Sequence, residues 1–195
     1  SLNPDFDMRL RLEMNSAGDF TSRSKLNPFI KDAWLRWNFT GNHQAYLGMS
    51  PTATTDSVDR IWGYRSVEKS ALDLQKWGNT RDLGLALRGS FNSDRKVRYH
   101  FMLGNGSGTG SETDTGKNVQ MALSAHPTES ITAEIYTDYE DLPLGDFRRT
   151  FQGFLAFQYD SGRLGIQYAH QTRSGTSDLE LDVFSLWGVW KFAPR

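Results

Sequence analysis

The stretch Phe6-Asp7-Met8-Arg9-Leu10-Arg11-Leu12-Glu13-Met14 decides the fold. Every even position is apolar and every odd one, after Phe6, is charged. A period of two sorts these side chains onto opposite sides of a β-strand, whereas a helix would scatter both kinds around its axis. The same alternation returns along the chain. Ala33, Leu35, Trp37 and Phe39 alternate with Asp32, Trp34, Arg36 and Asn38. Leu83, Leu85 and Leu87 alternate with Asp82, Gly84, Ala86 and Arg88, and Val97, Tyr99, Phe101 and Leu103 with Arg98, His100 and Met102. Segments around Leu47, Met121, Ala133, Leu155 and Ile166 follow the same rule. A last one, Leu179 to Phe192, is apolar on both sides toward its end, which leaves its phase open.

These are ten predicted strands, near the ~9–11 residues that cross a bilayer at a tilt and longer than the ~5–6 usual in soluble sheets. The apolar side carries no charge in mid-strand, while the other is crowded with charge. Lipid outside and water inside would demand that division. Connections alternate in length as well. Thr40-Gly41-Asn42, Asn92 to Arg95, His126 to Glu129 and Asp160 to Gly162 are short turns. Ser16 to Pro28, Ser50 to Thr80, Gly104 to Lys117, Glu140 to Asp146 and Ser174 to Asp178 are longer. Short turns at one rim and long loops at the other match the periplasmic and external sides of outer-membrane barrels. Aromatics toward strand ends (Trp37, Phe39, Phe91, Tyr139, Phe157, Tyr159) fit an interfacial girdle. The expected fold is therefore all-β: one domain over residues 1–195, a transmembrane antiparallel up-and-down β-barrel of about ten strands in the bacterial outer membrane.

Composition narrows the function. The chain has 195 residues, no cysteine, and 22 basic against 23 acidic side chains. That balance argues against a nucleic-acid partner. The absence of cysteine excludes disulfides, zinc-thiolate sites and a thiol nucleophile. No apolar run approaches the ~18 residues of a membrane-spanning helix, and no signal peptide is visible.

By phase, Arg9, Arg11, Arg36, Arg88, Arg98, Arg148 and Arg173 point inward, with Asp7, Glu13, Asp32, Asp82, Glu134, Asp138, Glu180 and Asp182. Two readings stay open. In a closed ten-strand barrel the opposite charges pair and plug the lumen, leaving a structural or partner-binding protein. In a wider barrel they line a hydrated path that attracts anions. The loop from Ser50 to Thr80 is too long for a tight connection and carries Arg60, Arg65, Lys69 and Lys76. A short helix over Ser66 to Trp77 is expected in it, capped by Ser66, with Val67, Ala71 and Leu74 on one side. Gly104 to Gly110 reads as a flexible external loop, lacking the lysine of a phosphate-cradling loop. Ser111-Glu112-Thr113-Asp114 offers too few oxygens for calcium, and no metal or other cofactor is expected. Asp82 and His100 lie on adjacent predicted strands; their pairing would be the starting point of a barrel hydrolase or protease, the least favoured reading. A soluble β-barrel with a ligand inside is a further alternative.

Lys31 to Trp37, Trp62 to Lys69, and Arg81-Asp82-Leu83-Gly84-Leu85 with Gly104-Asn105-Gly106 resemble the phosphate-selective porin O/P family, and more closely its unspecialised porin-like relatives. The resemblance implies an outer-membrane channel rather than an enzyme. It would be a homotrimer passing small hydrophilic, anionic solutes by diffusion. The family's specialised members line the pore with arginines, a lumen chemistry from which the mixed charges here depart, and the loop over residues 50–80 would fold inward as a constriction. This chain is shorter than such a barrel, so strands are expected to be missing at one or both ends, and Pro194-Arg195 reads as the start of a turn.

Overall fold

The computed structural model describes residues 3–15, 26–175 and 177–192. Most of the first long loop, and the turn expected at Pro194-Arg195, lie outside them. Ten strands follow one another: β1 (Phe6–Asn15), β2 (Asn27–Thr40), β3 (His43–Pro51), β4 (Arg81–Ser90), β5 (Val97–Gly104), β6 (Asn118–Thr128), β7 (Ile131–Asp141), β8 (Phe147–Tyr159), β9 (Gly162–Arg173) and β10 (Leu179–Trp190). They form a single antiparallel sheet in the order β1 to β10, each strand beside its neighbour in sequence. The alternation thus yields an up-and-down meander, as expected. Closure does not follow: among the described residues, β1 pairs only with β2 and β10 only with β9.

The register carries the period of two across the sheet. Met8, Leu35, Leu47, Leu85, Leu103, Val119 and Tyr139 are successive cross-strand partners and form one apolar row on the outer face. Leu10 is 71 % exposed, Leu47 63 % and Leu85 43 %. On the opposite face, Thr150, Gln152, Gln167, Gln171 and Asp32 are all but fully buried. A water-soluble domain sorts these residue types the other way, since each buried apolar side chain gains ~1.5–3 kcal/mol and buried polar groups gain nothing unless hydrogen-bonded.

The polar face is covered by the segment between β3 and β4. It contains α1 (Asp56–Trp62) and α2 (Ala71–Leu74). Helix α1 buries Val58 and Ile61 against Phe154 and Ala156, with Trp187 of β10 alongside. It stops at Gly63, whose φ of 67° lets its N–H reach the Asp59 carbonyl at 2.9 Å. The helix expected over Ser66 to Trp77 shrinks to α2, with Ser70 at its N-cap. Residues 64–68 are held instead as a turn by Val67 and Glu68 N–H groups on the Tyr64 carbonyl and by the Trp62 indole on the Glu68 carbonyl. Val67 and Leu74 are exposed, and Leu72 is the buried anchor, packed with Ala53, Trp77, Ala122, Tyr136 and Ala169.

The glycine-rich segment after β5 is tied down rather than free. Gly106 donates its N–H to Asp82 at 2.7 Å, and Asn79 donates to the Gly106 carbonyl at 2.8 Å. Gly104 has to be glycine here: a Cβ would sit 2.2 Å from the Asp82 carboxylate.

Strand β10 has its own phase. Leu181, Val183, Ser185, Trp187 and Val189 face the loop segment, while Glu180 and Asp182 share the outer face with Tyr168 and His170. Tyr168 donates to Asp182 at 2.7 Å, and His170 Nδ1 lies 3.0 Å from the same carboxylate. The inward reading of Glu180 and Asp182 is therefore corrected. The apolar partners supplied by α1 and α2 turn the other face of β10 inward.

Because Leu72 has no exposed surface, Leu72→Ala is expected to cost about 2–5 kcal/mol in denaturant unfolding and to open residues 51–80 to protease. Val67→Ala, at an exposed position, should change neither measurement.

Candidate functional site

Two polar cavities lie on the loop face of the sheet, one on either side of α1. The first, about 370 Å³, opens toward the short-turn rim between β2–β7 and α1. Its basic lining is Arg60, Arg88, Arg95 and Arg98; Asp56 and Glu134 are the acids. The second, about 510 Å³, opens toward the long-loop rim and is lined by Arg11, Lys31, Arg60, Arg65 and Arg81 with Glu13, Asp56 and Asp59. Asp56 and Arg60, one turn apart on α1 and paired at 3.1 Å, belong to both linings. That pair therefore lies between the two cavities.

At the long-loop end, one carboxylate gathers three guanidinium groups. Asp32 is 1 % exposed and meets Arg9 at 3.3 Å, Arg11 at 3.0 Å and Arg81 at 2.5 Å. Arg81 was not among the expected residues, because the phase of β4 sends it outward. It stands at the first position of the strand, where no second cross-strand neighbour fixes its direction, and its side chain turns back to Asp32. Arg65 spans Asp59 (3.2 Å) and Asp73 (2.5 Å). Burial raises the Asp59 carboxyl above its ordinary range, partly offset by the Arg65 charge.

At the short-turn end, positive charge is less compensated. Arg88 Nε donates to His100 Nε2 at 3.1 Å and its Nη2 to the Pro51 carbonyl at 2.5 Å, with the guanidinium 4.8 Å over the Tyr46 ring. Arg98 donates to the Arg95 carbonyl, and Arg95 to Asn42. Among the described residues no carboxylate lies within 4.0 Å of Arg88, Arg95 or Arg98. Arg95 escaped the sequence reading because it sits in the β4–β5 turn, with φ of 56°, outside any alternating segment.

The remaining expected residues divide. Arg36 is taken up by Asp7, and Arg148 by Glu140 at 2.6 Å, each with two guanidinium nitrogens on one carboxylate oxygen, near opposite rims. Lys69 pairs with Asp73 at 3.4 Å; neither it nor Lys76 lines the two cavities. Glu134 is covered by α1. Asp82 and His100 do not pair: the register sets His100 opposite Arg88, whereas Asp82 accepts the N–H groups of Leu83 and Gly106 near the far rim. A carboxylate–histidine unit for hydrolysis is not assembled there. No group of three or more histidine, aspartate or glutamate side chains fit for a metal ion occurs among the described residues.

Set against known proteins, this chain matches no family model and no curated protein.

The three-to-one arrangement at Asp32 gives a graded expectation. Asp32→Ala removes the buried acceptor and leaves three cations facing one another, so it should cost about 3 kcal/mol or more. Arg9→Ala removes a half-exposed partner and should cost less than about 1 kcal/mol. Denaturant titration of both variants checks the order.

Proposed function

We propose that this sheet is part of an outer-membrane β-barrel channel through which small hydrophilic, preferentially anionic solutes diffuse. The observation that carries the reading is the inverted sorting of residues: leucines exposed along the outer face, glutamines, threonines and carboxylates buried on the other. An aqueous protein gains nothing from exposing that row. In hydrocarbon the same row is the favourable surface, and polar residues belong inside.

The outer face also carries aromatic belts at a fitting separation. Phe147 stacks on Tyr139 at the long-loop rim (5.7 Å), and Trp37, Phe39, Phe91 and Tyr99 cluster near the short-turn rim. From Phe147 to Tyr159 along β8 is roughly 40 Å at ~3.3 Å per residue, or about 30 Å across at a strand tilt near 40–45°, the thickness of a hydrocarbon core. In lipid no strand edge stays unpaired. The reading therefore requires the edges of β1 and β10 to pair, with one another or with further strands. It agrees with the resemblance to the phosphate-selective porin O/P family, which also implies a trimer.

The anionic preference rests on the two cavities, whose basic side chains outnumber the acidic ones, with Arg60 common to both. Fixed charge of one sign along a narrow hydrated path favours counter-ions. The segment over residues 51–80 is the constriction in this account.

Purified in detergent and added to planar bilayers, the protein should give discrete conductance steps with anions more permeant than cations. Arg60→Glu should lower or reverse that preference. Silence under all conditions would instead support a plugged barrel. Leu47→Arg offers a second check. At a lipid-facing position it should cost about 2–4 kcal/mol in bilayer refolding, against less than about 0.5 kcal/mol for an exposed site in water.

A further inference from the structure

Glu134 lies in the middle of β7 on the loop face, 5 % exposed, directly under α1. Its Oε2 accepts the hydroxyl of Ser57, in the first turn of that helix. Its Oε1 is buried without a hydrogen-bond partner, and among the described residues no basic group lies within 4.0 Å of it. A carboxyl group in that setting is not held for an ion pair, because an isolated buried charge is far costlier than a hydrogen-bonded neutral acid. What it does hold is α1. Three residues beyond Ser57, Arg60 stands between the two cavities.

The neighbouring contacts point the same way. Thr54 shares a hydrogen bond with Tyr136 at 2.9 Å, Tyr136 donates to Asp138 at 2.7 Å, and the Ala53 N–H reaches Gln120 at 3.1 Å. The entrance to α1 is thus fastened to β6 and β7 by these hydrogen bonds, beside the apolar cluster that Ala53 shares with Ala122 and Tyr136. The helix's apolar anchorage, Val58 and Ile61, lies toward β8 and β10. The Ser57–Glu134 hydrogen bond ties the first turn of α1 itself to β7.

We propose that Glu134 is a positioning residue. By hydrogen-bonding Ser57 from beneath, it fixes α1 so that Arg60 stands in the passage, and so sets the charge preference through Arg60. This rests on the channel reading for its consequence, but not for its geometry.

The absence of cysteine permits a clean distance measurement. Spin labels at Ser93→Cys, in the β4–β5 turn, and Val67→Cys, exposed in the loop segment, report the seating of that segment in the detergent-solubilised protein. Ser57→Ala and Glu134→Ala should each broaden and shift the distance distribution, while Glu134→Gln, which keeps an acceptor for Ser57, leaves it unchanged. In bilayers the first two should lower the anion-over-cation permeability ratio about twofold. Unchanged distances in both alanine variants overturn the proposal, as does a Glu134→Gln effect as large as that of Glu134→Ala. Distances that move while the permeability ratio stays fixed overturn the role in selectivity. If the unaltered chain conducts nothing, the channel reading fails, and the distance measurements still decide the clasp. Should Glu134→Ala fail to fold, Ser57→Ala carries the test.

Discussion

A sheet that turns its amides, hydroxyls and carboxylates toward one side has to find partners for them, and here the partners come from one another and from the segment over residues 51–80. Gln167 donates to Gln152 at 2.6 Å and Gln171 to Thr150 at 2.8 Å. The Thr150 N–H and the Tyr136 hydroxyl both reach Asp138. From Tyr136 and Gln120 the network passes directly to Thr54 and Ala53. Buried polar groups are tolerable only when paired in this way. Remove the covering segment and a band of glutamine, threonine and acid side chains from β6 to β9 would need water in its place.

The cover is lopsided, and the lopsidedness makes the site. Apolar side chains on the loop face are concentrated on β8 and β10: Phe154, Ala156, Leu181, Val183 and Trp187. Helices α1 and α2 dock there, because that is where burial gains free energy. Opposite them, β2 to β5 offer only the small cluster of Tyr46, Ala86 and Met102 beside Trp34. The polar side of α1, with Asp56 and Arg60, consequently faces the arginine-bearing wall across open space. Hydrophobic docking on one flank and guanidinium groups on the other thus have a single cause, the uneven distribution of apolar residues on the inner face.

The meander, its register and the sidedness of strands such as β1, β4 and β7 were legible from the period of two alone, because that period is a property of the backbone. Closure was not legible, since no residue in β1 or β10 states what lies beyond its free edge. Two kinds of residue defeated the phase argument. Arg81 and Arg95 sit at a strand start and in a turn, where alternation loses its hold. Asp182 follows β10, whose apolar residues occur on both sides, so that only the docking of α1 and α2 decides which side is in. Helix α1 was missed because Val58 and Ile61 alone make too short an apolar stripe to be read as a helix. Within the site, Arg11, Arg88 and Arg98 stood where phase put them, whereas the covering of Glu134 depends on a contact 77 residues away in sequence.

Alternating signs on the inner face suggested that acids and bases cancel one another pair by pair and fill the space. The pairing is less even than that. Asp32 absorbs three arginines, Asp73 takes both Arg65 and Lys69, and Arg36 and Arg148 find one acid each near the rims. Meanwhile Glu134 and Asp138 accept hydrogen bonds from hydroxyls, and among the described residues no basic group lies within 4.0 Å of either, so neither pairs with Arg88, Arg95 or Arg98. Near-neutral composition is therefore compatible with an uneven distribution of charge, because several of the acids stand at hydrogen bonds with the loop and its neighbours rather than beside the arginines. A plugged interior needs its charges matched in space as well as in number, and the short-turn cavity, with four arginines against Asp56 and Glu134, is matched in neither. The same placement of carboxylates that fastens the segment over residues 51–80 leaves Arg88, Arg95 and Arg98 beside it without a carboxylate partner among the described residues.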